Sequence, residues 1–367
     1  VNINIGVLAY NEAALIAQTL SSLFQQSIFQ LEQPLSQLTL EIIVIPNGCT
    51  DETAAIAEAT LKECVERSPH QPRYRICDVE QRGKSNAWNL YVHEFSDPAA
   101  EYLILMDADI QFLNPCTLHD LVEALQQNPE AWISVGLPVK DVALKSHKSL
   151  IDRLSVAISK SAPEPLPTEN SMICGQLYCS RAKALRAIWM PIGLPVEDGF
   201  LRAVACTEGF TMPENSHQRV KFVKSATHVF AAYTHVASLL NHEKRLIIGS
   251  VINAFLYDYL WKNCHSEQTA GSLIRLRNYQ DPNWLNYLLQ EAVAKQGWWV
   301  ISPDFYLRRW RGLRSYPMAK KILRLPLVIV ASLADWLVCV QANSALKRGE
   351  GIGYWGTKQQ AKVHKIG

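Results

Sequence analysis

Short apolar runs and amphipathic stretches take turns along the first hundred residues. "INIGVLAY" (3–10) reads as a buried strand and "EAALIAQTLSSLFQQS" (12–27) as an amphipathic helix. "EIIVIPN" (41–47) predicts a second strand, and "DETAAIAEATLKECVER" (51–67) a second helix with Thr50 or Asp51 near its N-cap. "RYRICDVE" (73–80), "KSNAWNLYVHEF" (84–95) and "EYLILMD" (101–107) continue as strand, helix and strand. This alternation predicts βαβ units and an α/β fold with a mostly parallel central sheet flanked by helices. Ligands of such sheets sit off the carboxyl ends of the strands. Here those ends read "AYNE", "PNGCTD", "VEQRGK" and "MDAD", all polar and expected to converge on one edge.

The middle of the chain is less regular. "SAPEPLPTEN" (161–170) reads as a loop long enough to be a lid or binding segment. "MICGQLYCS" predicts a short strand, "RAKALRAIW" a helix, "GLPVEDGFLRAVAC" a loop running into a helix, and "RVKFVKSATHVFAAY" one or two strands. The tail opens with "FYLRRWRGLRSYPMAKKILR", seven basic residues interleaved with aromatics. "LPLVIVASLADWLVCVQA" (325–342) follows, about the minimum length of a membrane span and interrupted by Asp335. A basic flank beside an apolar helix predicts a segment lying in an anionic membrane surface, with a buried core helix as the alternative.

Charge sharpens that contrast. The 367 residues carry a net charge of +2. Residues 301–367 alone hold twelve Lys/Arg against three Asp/Glu, a net of +9, so the remainder carries 24 against 31, or −7. The total gives no argument for a nucleic-acid partner, and none is expected. The nine cysteines are scattered, odd in number and without a CxxC pair, which suits a reducing compartment better than a disulfide scaffold. No leader-like pattern opens the sequence, and a cytoplasmic protein, peripheral at the inner face of the membrane, is the expectation.

The chemistry sits at the strand ends. Asp107 and Asp109 close the run "LILMDAD" and can present oxygens to one hard divalent cation, Mg²⁺ or Mn²⁺, with substrate phosphates completing its shell. Two solvated loop aspartates are the alternative. Gly83 and Lys84 stand where a strand hands over to a helix, a position suited to a diphosphate, although neither a Walker loop nor a dinucleotide fingerprint is present. Asn47 and Asp51 are candidates to hydrogen-bond a base or ribose, against a plain turn and helix cap. Glu197 and Asp198 precede a helix, and a carboxylate there that faces a substrate hydroxyl is a general-base candidate.

In this order the motifs resemble those of the inverting GT-A glycosyltransferases of family 2. "AYNE", "NGCTDET", "GKSNAWN", "DAD", "GQLYCSRAKAL" and "ED" follow one another as they do in that family, across roughly residues 3–250. The resemblance implies a GT-A fold over residues 1–250, with a nucleotide half of about 1–110 and an acceptor half of about 111–250. Residues 251–367 would form a helical, basic and apolar extension. Ala9, Asn11 and Glu12 would line the nucleotide pocket with Asp51, and Asn47 would meet the base, where many members carry Asp. Gly83, Lys84, Asp107, Ala108 and Gly175 would belong to the donor site. Asp109 would be the more direct metal ligand beside Asp107, with His228 or His235 as a third. Asp198 would be the catalytic base next to Glu197.

The resemblance also implies the reaction: a sugar leaves a nucleoside diphosphate, UDP favoured, for an acceptor hydroxyl in one inverting displacement. The Q-x-x-R-W motif of processive members corresponds here to "HEKRL" (242–246), which keeps Arg245 but replaces Gln and Trp. That departure argues for a non-processive enzyme. The basic, apolar tail points to a lipid-linked or amphipathic acceptor, with a soluble one as the alternative. A descendant of the same fold that binds a nucleotide or partner without catalysis is the main competing reading. A haloacid-dehalogenase-type phosphatase fits poorly, because its motif belongs on the first strand and this one ends the fourth. A nucleotidyltransferase would need a glycine-rich loop where "AYNEAA" stands.

Overall fold

A computed structural model describes residues 1–30, 38–69, 71–144, 172–231 and 236–353. The four predicted strands form as β1 (Asn2–Ala9), β2 (Thr39–Pro46), β3 (Arg73–Ile76) and β4 (Tyr102–Asp107), all mutually parallel. Their ends align: Ala9 pairs with Pro46, Leu8 with Asp107, and Asn47 bridges to Val79. The polar tails therefore do meet at one edge, as the alternation requires.

Beyond β4 the sheet becomes mixed. β5 (Ile110–Phe112), β6 (Ile133–Lys140), β7 (Leu177–Arg181) and β8 (Val220–Phe230) complete the order β3-β2-β1-β4-β7-β6-β8-β5 among the described residues. β7 runs antiparallel to both β4 and β6, β5 is antiparallel to β8, and β6 is parallel to β8. The mostly parallel expectation thus holds for the first half. It weakens in the second, where β5 and β6 were not evident from the sequence. The helix expected at "RAKALRAIW" shrinks to the single turn Ala182–Leu185.

Two apolar layers clothe the sheet. On one side α1 (Ile16–Phe24), α2 (Thr53–Arg67) and α4 (Thr117–Gln127) bury Leu20, Leu61 and Leu121 against Ile5, Ile42 and Ile104. On the other, α3 (Lys84–Leu90) continues as a π-helical turn, Tyr91–Phe95. There the Tyr91 ring lies flat over Gly6, where any Cβ would approach it to 2.7 Å, and its hydroxyl donates to the Asn4 carbonyl at 2.8 Å. Only glycine lets the ring cover the strand so closely.

The same layer holds α5 (Glu197–Cys206), α6 (Val236–Asn263), α7 (Ala270–Gln280), α8 (Trp284–Lys295), α9 (Pro303–Arg314) and α10 (Met318–Lys347). A single cluster of buried side chains runs from Leu8, Trp88 and Phe200 through Ile252 and Leu285 to Leu346. The boundary expected at residue 250 consequently falls inside α6, and the carboxyl-terminal helices share the core of the sheet rather than forming one of their own. The lid expected at 161–170 and His235 lie outside the described residues.

Candidate active site

The loops after β1 and β2 are sewn to each other. Asn11, at φ +52°, accepts the Thr50 N–H through Oδ1 at 2.8 Å. Glu12 donates its N–H to Thr53 Oγ1 at 2.8 Å. Asp51 accepts from the Thr53 N–H at 3.1 Å and from the Ala13 N–H at 3.2 Å. Asp51 therefore ties the loop after β1 to the start of α2. Ala9 ends β1 with its carbonyl taking the Asn47 N–H at 2.9 Å.

Asn47 is wholly buried. Its Oδ1 accepts the Gly83 N–H at 2.5 Å and its Nδ2 donates to the Gln81 carbonyl at 3.2 Å. Each end of the amide thus gives one bond to the turn that delivers Gly83 and Lys84. Gly83 sits at φ +144°, a backbone state that side chains rarely adopt. The sequence suggested Asn47 as a base contact; the structure uses its side chain to shape the next loop.

Lys84 is the hub of the site. Its Nζ lies 2.7 Å from Asp107 Oδ1, 2.7 Å from Glu197 Oε1, and 3.2 Å from the Gly175 carbonyl. Burial opposes its charge, but the two carboxylates outweigh burial and raise its pKa. Burial likewise opposes ionisation of Glu197; Lys84, a backbone N–H and Arg245 outweigh it and hold the carboxyl below its ordinary value. Asp198 is treated differently. Burial first, then the neighbouring Glu197 charge, push it up to about 6, against a 2.7 Å hydrogen bond from the Gly199 N–H. Adjacent carboxylates are thereby separated into one held as an anion by Lys84 and one poised to take a proton. Gly175 permits this packing: a Cβ there would stand 3.1 Å from Glu197 Oε1 and 3.3 Å from Asp198 Cβ.

β4 stops at Asp107, and Ala108 and Asp109 turn the chain into β5. The two aspartates consequently do not lie on one continuous strand. Asp107 faces Lys84, while the buried Asp109 acts electrostatically on His228 of β8. His228 is fully buried; burial lowers its pKa to about 4, against the pull of Asp109. Its Nε2 lies 3.4 Å from Gln176 Oε1, and its Nδ1 has no hydrogen-bond partner among the described residues. A neutral imidazole with an orphaned buried nitrogen beside a carboxylate is a donor set that suits Mn²⁺ or Mg²⁺ with phosphate oxygens. A second group, His119, Asp120 and Glu123 on α4, is largely exposed and brings one ligand atom from each residue within 4.8 Å of the others, so it too could hold a metal ion.

Several supporting residues escaped the sequence reading. Gln176 joins the halves: its carbonyl accepts the Asp107 N–H at 2.9 Å while its side chain reaches His228. α6 braces the acidic pair from behind. Asn253 Nδ2 donates to the Val196 carbonyl at 3.0 Å, and the Tyr257 hydroxyl to the Gly199 carbonyl at 2.9 Å. Val196 packs where a Cβ on Gly249 would be. Arg245, Gly249, Asn253 and Tyr257 recur every fourth residue, so they form one stripe of the helix.

Comparison with known proteins agrees with this architecture. The model of glycosyl transferase family 2 matches residues 5–187. The mannosyltransferase PcManGT of Pyrobaculum calidifontis, in complex with GDP-Man and Mn²⁺, aligns at 17% identity and TM-score 0.51, over 94% of this chain and 86% of its own. TarS of S. aureus with UDP-GlcNAc aligns at 14% and 0.43, over 95% and 93%. Glucosyl-3-phosphoglycerate synthase of Mycobacterium tuberculosis with Mg²⁺ and UDP aligns at 16% and 0.45, over 69% and 79%. The first of these likenesses establishes the GT-A fold. A search of curated proteins finds no match.

Proposed function

Since residues 5–187 belong to glycosyl transferase family 2, we propose that the chain moves a sugar from a nucleoside-diphosphate donor, UDP-sugar favoured, to an acceptor hydroxyl in one inverting displacement. The observation that carries this reading is the Lys84 bridge. One ammonium spans the end of β4 and the Glu197–Asp198 pair, so the donor side and the base side are held against each other.

Residues 1–110 supply the nucleotide half and residues 111–250 the acceptor half. The sewn loops containing Ala9, Asn11 and Glu12 form the floor under the nucleotide. Lys84 meets the diphosphate by sharing the ammonium it now gives to Asp107 and Glu197. Asp109, Asp107 and His228 would hold Mn²⁺ or Mg²⁺, which supplies positive charge to the departing diphosphate. Asp198, with its raised pKa, takes the acceptor proton and aims the resulting oxygen at the anomeric carbon. Glu197 stays ionised to fix Lys84, and Arg245 keeps the pair from gathering two protons. The departures at "HEKRL" favour a single transfer over polymerisation.

Thermal melts against UDP, GDP, dTDP and CDP, each with and without Mn²⁺, test this. A ligand at about a hundred times its Kd adds roughly 2.7 kcal/mol. One nucleotide stabilising only with metal, with the effect lost in Asp109→Ala, is the expected result. Stabilisation by none of them would remove the donor site from the proposal, and a matching donor without turnover would favour the non-catalytic descendant.

A further inference from the structure

α10 has two apolar faces. Val328, Ala331, Val338, Cys339, Ala342 and Leu346 are buried against the protein. Leu323, Val330 and Leu333 are 81%, 65% and 65% exposed, and Trp336 and Leu337 lie on the same outer side. These positions recur every three or four residues from Ile322 to Val340, a stripe about 27 Å long at the helical rise. No Asp or Glu stands between Asp304 and Asp335, whereas Arg314, Lys320, Lys321 and Arg324 all do. Trp336 stacks on Trp299 with ring centroids 5.1 Å apart, and the adjoining Trp298 is 82% exposed. Trp298 and Trp336 flank the apolar stripe, and Lys320, Lys321 and Arg324 stand in the first turns of the same helix on the side of Val328 and Asp335, so that long basic stems border the apolar face as they do in the headgroup layer of a bilayer.

We propose that the outer face of α10 docks on an anionic lipid surface, with the helix lying in the plane of the membrane and not across it. Asp335 decides the orientation. It sits at the centre of the apolar run but on the inner face, accepting two bonds from Arg308 at 2.9 and 2.6 Å and one from Arg309 at 3.0 Å. Arg308 also reaches Glu243 on α6 at 2.9 Å. A spanning helix would carry these charges into hydrocarbon or strip Asp335 of its partners, both costly. An in-plane helix keeps the whole cluster on its protein side. A second copy of the chain is the poorer occupant, because it would bring another basic cluster of the same sign to the contact. Lipid phosphates supply the opposite sign, and they favour this face over a body whose residues 1–300 sum to −7. The clamp also ties the surface to the site: Glu243 lies two residues before Arg245, on the helix that braces Glu197 and Asp198.

Flotation of the full chain with phosphatidylcholine vesicles, with and without phosphatidylglycerol, reads docking whatever sugar the site transfers. Binding to the mixed vesicles, weakened by salt, is expected. Lys320→Glu, Lys321→Glu and Arg324→Glu together should lower affinity by at least about tenfold. Leu323→Glu, Val330→Glu and Leu333→Glu together should do the same, and these exposed positions should leave the melting temperature unchanged. Trypsin sealed inside the vesicles should leave bound chain intact. Absent binding, equal binding by either variant, or cleavage by the enclosed trypsin overturns the proposal. So does a solution dimer that the leucine and valine changes dissociate without any effect on vesicles.

Discussion

The Lys84 ammonium lies 2.7 Å from Asp107 Oδ1, so the carboxylate that ends the fourth strand is already ion-paired before any donor arrives. The same nitrogen holds Glu197 at an equal distance. Lys84→Met would leave two largely buried carboxylates facing one another. Removing one partner of a buried pair costs about 3–5 kcal/mol. Denaturant unfolding at neutral pH should show a loss of that order, and smaller below pH 5, where the carboxylates can protonate. Lys84→Arg should recover much of the stability while still weakening nucleotide binding, because the planar guanidinium cannot take the place of a compact ammonium between two oxygens. A stable Lys84→Met protein with unchanged nucleotide affinity would contradict both roles.

Asp198 gives a prediction with two readouts of opposite sign. A folded pKa of about 6 lies above the ordinary carboxylate value, so the folded state binds the proton more tightly than the unfolded chain does. Stability from this residue is greatest at low pH and is lost as pH rises through about 4 to 6. Asp198→Asn should therefore raise the melting temperature above pH 6 and have little effect near pH 4. The amide oxygen can still accept the Gly199 N–H. Transfer should meanwhile fall by about 10² to 10⁴, the usual contribution of a general base, with nucleotide binding kept. In the wild type, kcat/KM should decline below pH 6. A variant that is less stable at pH 7.5 would contradict the raised pKa, and near-normal transfer would remove Asp198 from the base role.

His228 tests the cation site. With a pKa lowered to about 4, the imidazole is neutral throughout the working range and needs no deprotonation to bind metal. Its stability contribution is complete above about pH 6.5 and is lost as pH falls toward 4, the reverse of Asp198. His228→Phe should lower Mn²⁺ affinity in the presence of nucleotide by at least about tenfold, read by titration calorimetry or Mn²⁺ resonance. It should also flatten the acid side of the stability profile. Unchanged Mn²⁺ affinity would confine His228 to the core.

Much of this was legible in the sequence because it depends on local pattern. The first four strands, and the polar ends that meet at Ala9, Pro46 and Asp107, follow from alternation alone. β5 and β6 were not, because three residues of "IQF" carry no period and "ISVGLPVK" contains a glycine and a proline. The bracing of Glu197 and Asp198 by Asn253 and Tyr257 crosses more than fifty residues, and no local rule connects them. Asp335 shows the same limit from the other side. Hydropathy makes it a defect in a membrane span, whereas two arginines from the preceding helix make it a buried clamp.

Asn47 carries the last test, because chemistry and resemblance point in different directions there. The resemblance implies a carboxylate at this position in many members. In this chain the side-chain amide donates to the Gln81 carbonyl and accepts from the Gly83 N–H. Asn47→Asp keeps the acceptor but sets a carboxylate oxygen against the Gln81 carbonyl in a fully buried site. A buried polar group left without its partner costs about 1–3 kcal/mol. Denaturant unfolding should show that loss. Because the turn it holds delivers Lys84, nucleotide affinity should fall along with stability. If Asn47→Asp instead binds nucleotide more tightly at unchanged stability, the amide is a base contact after all, and the Gln81–Gly83 turn must be held by other groups.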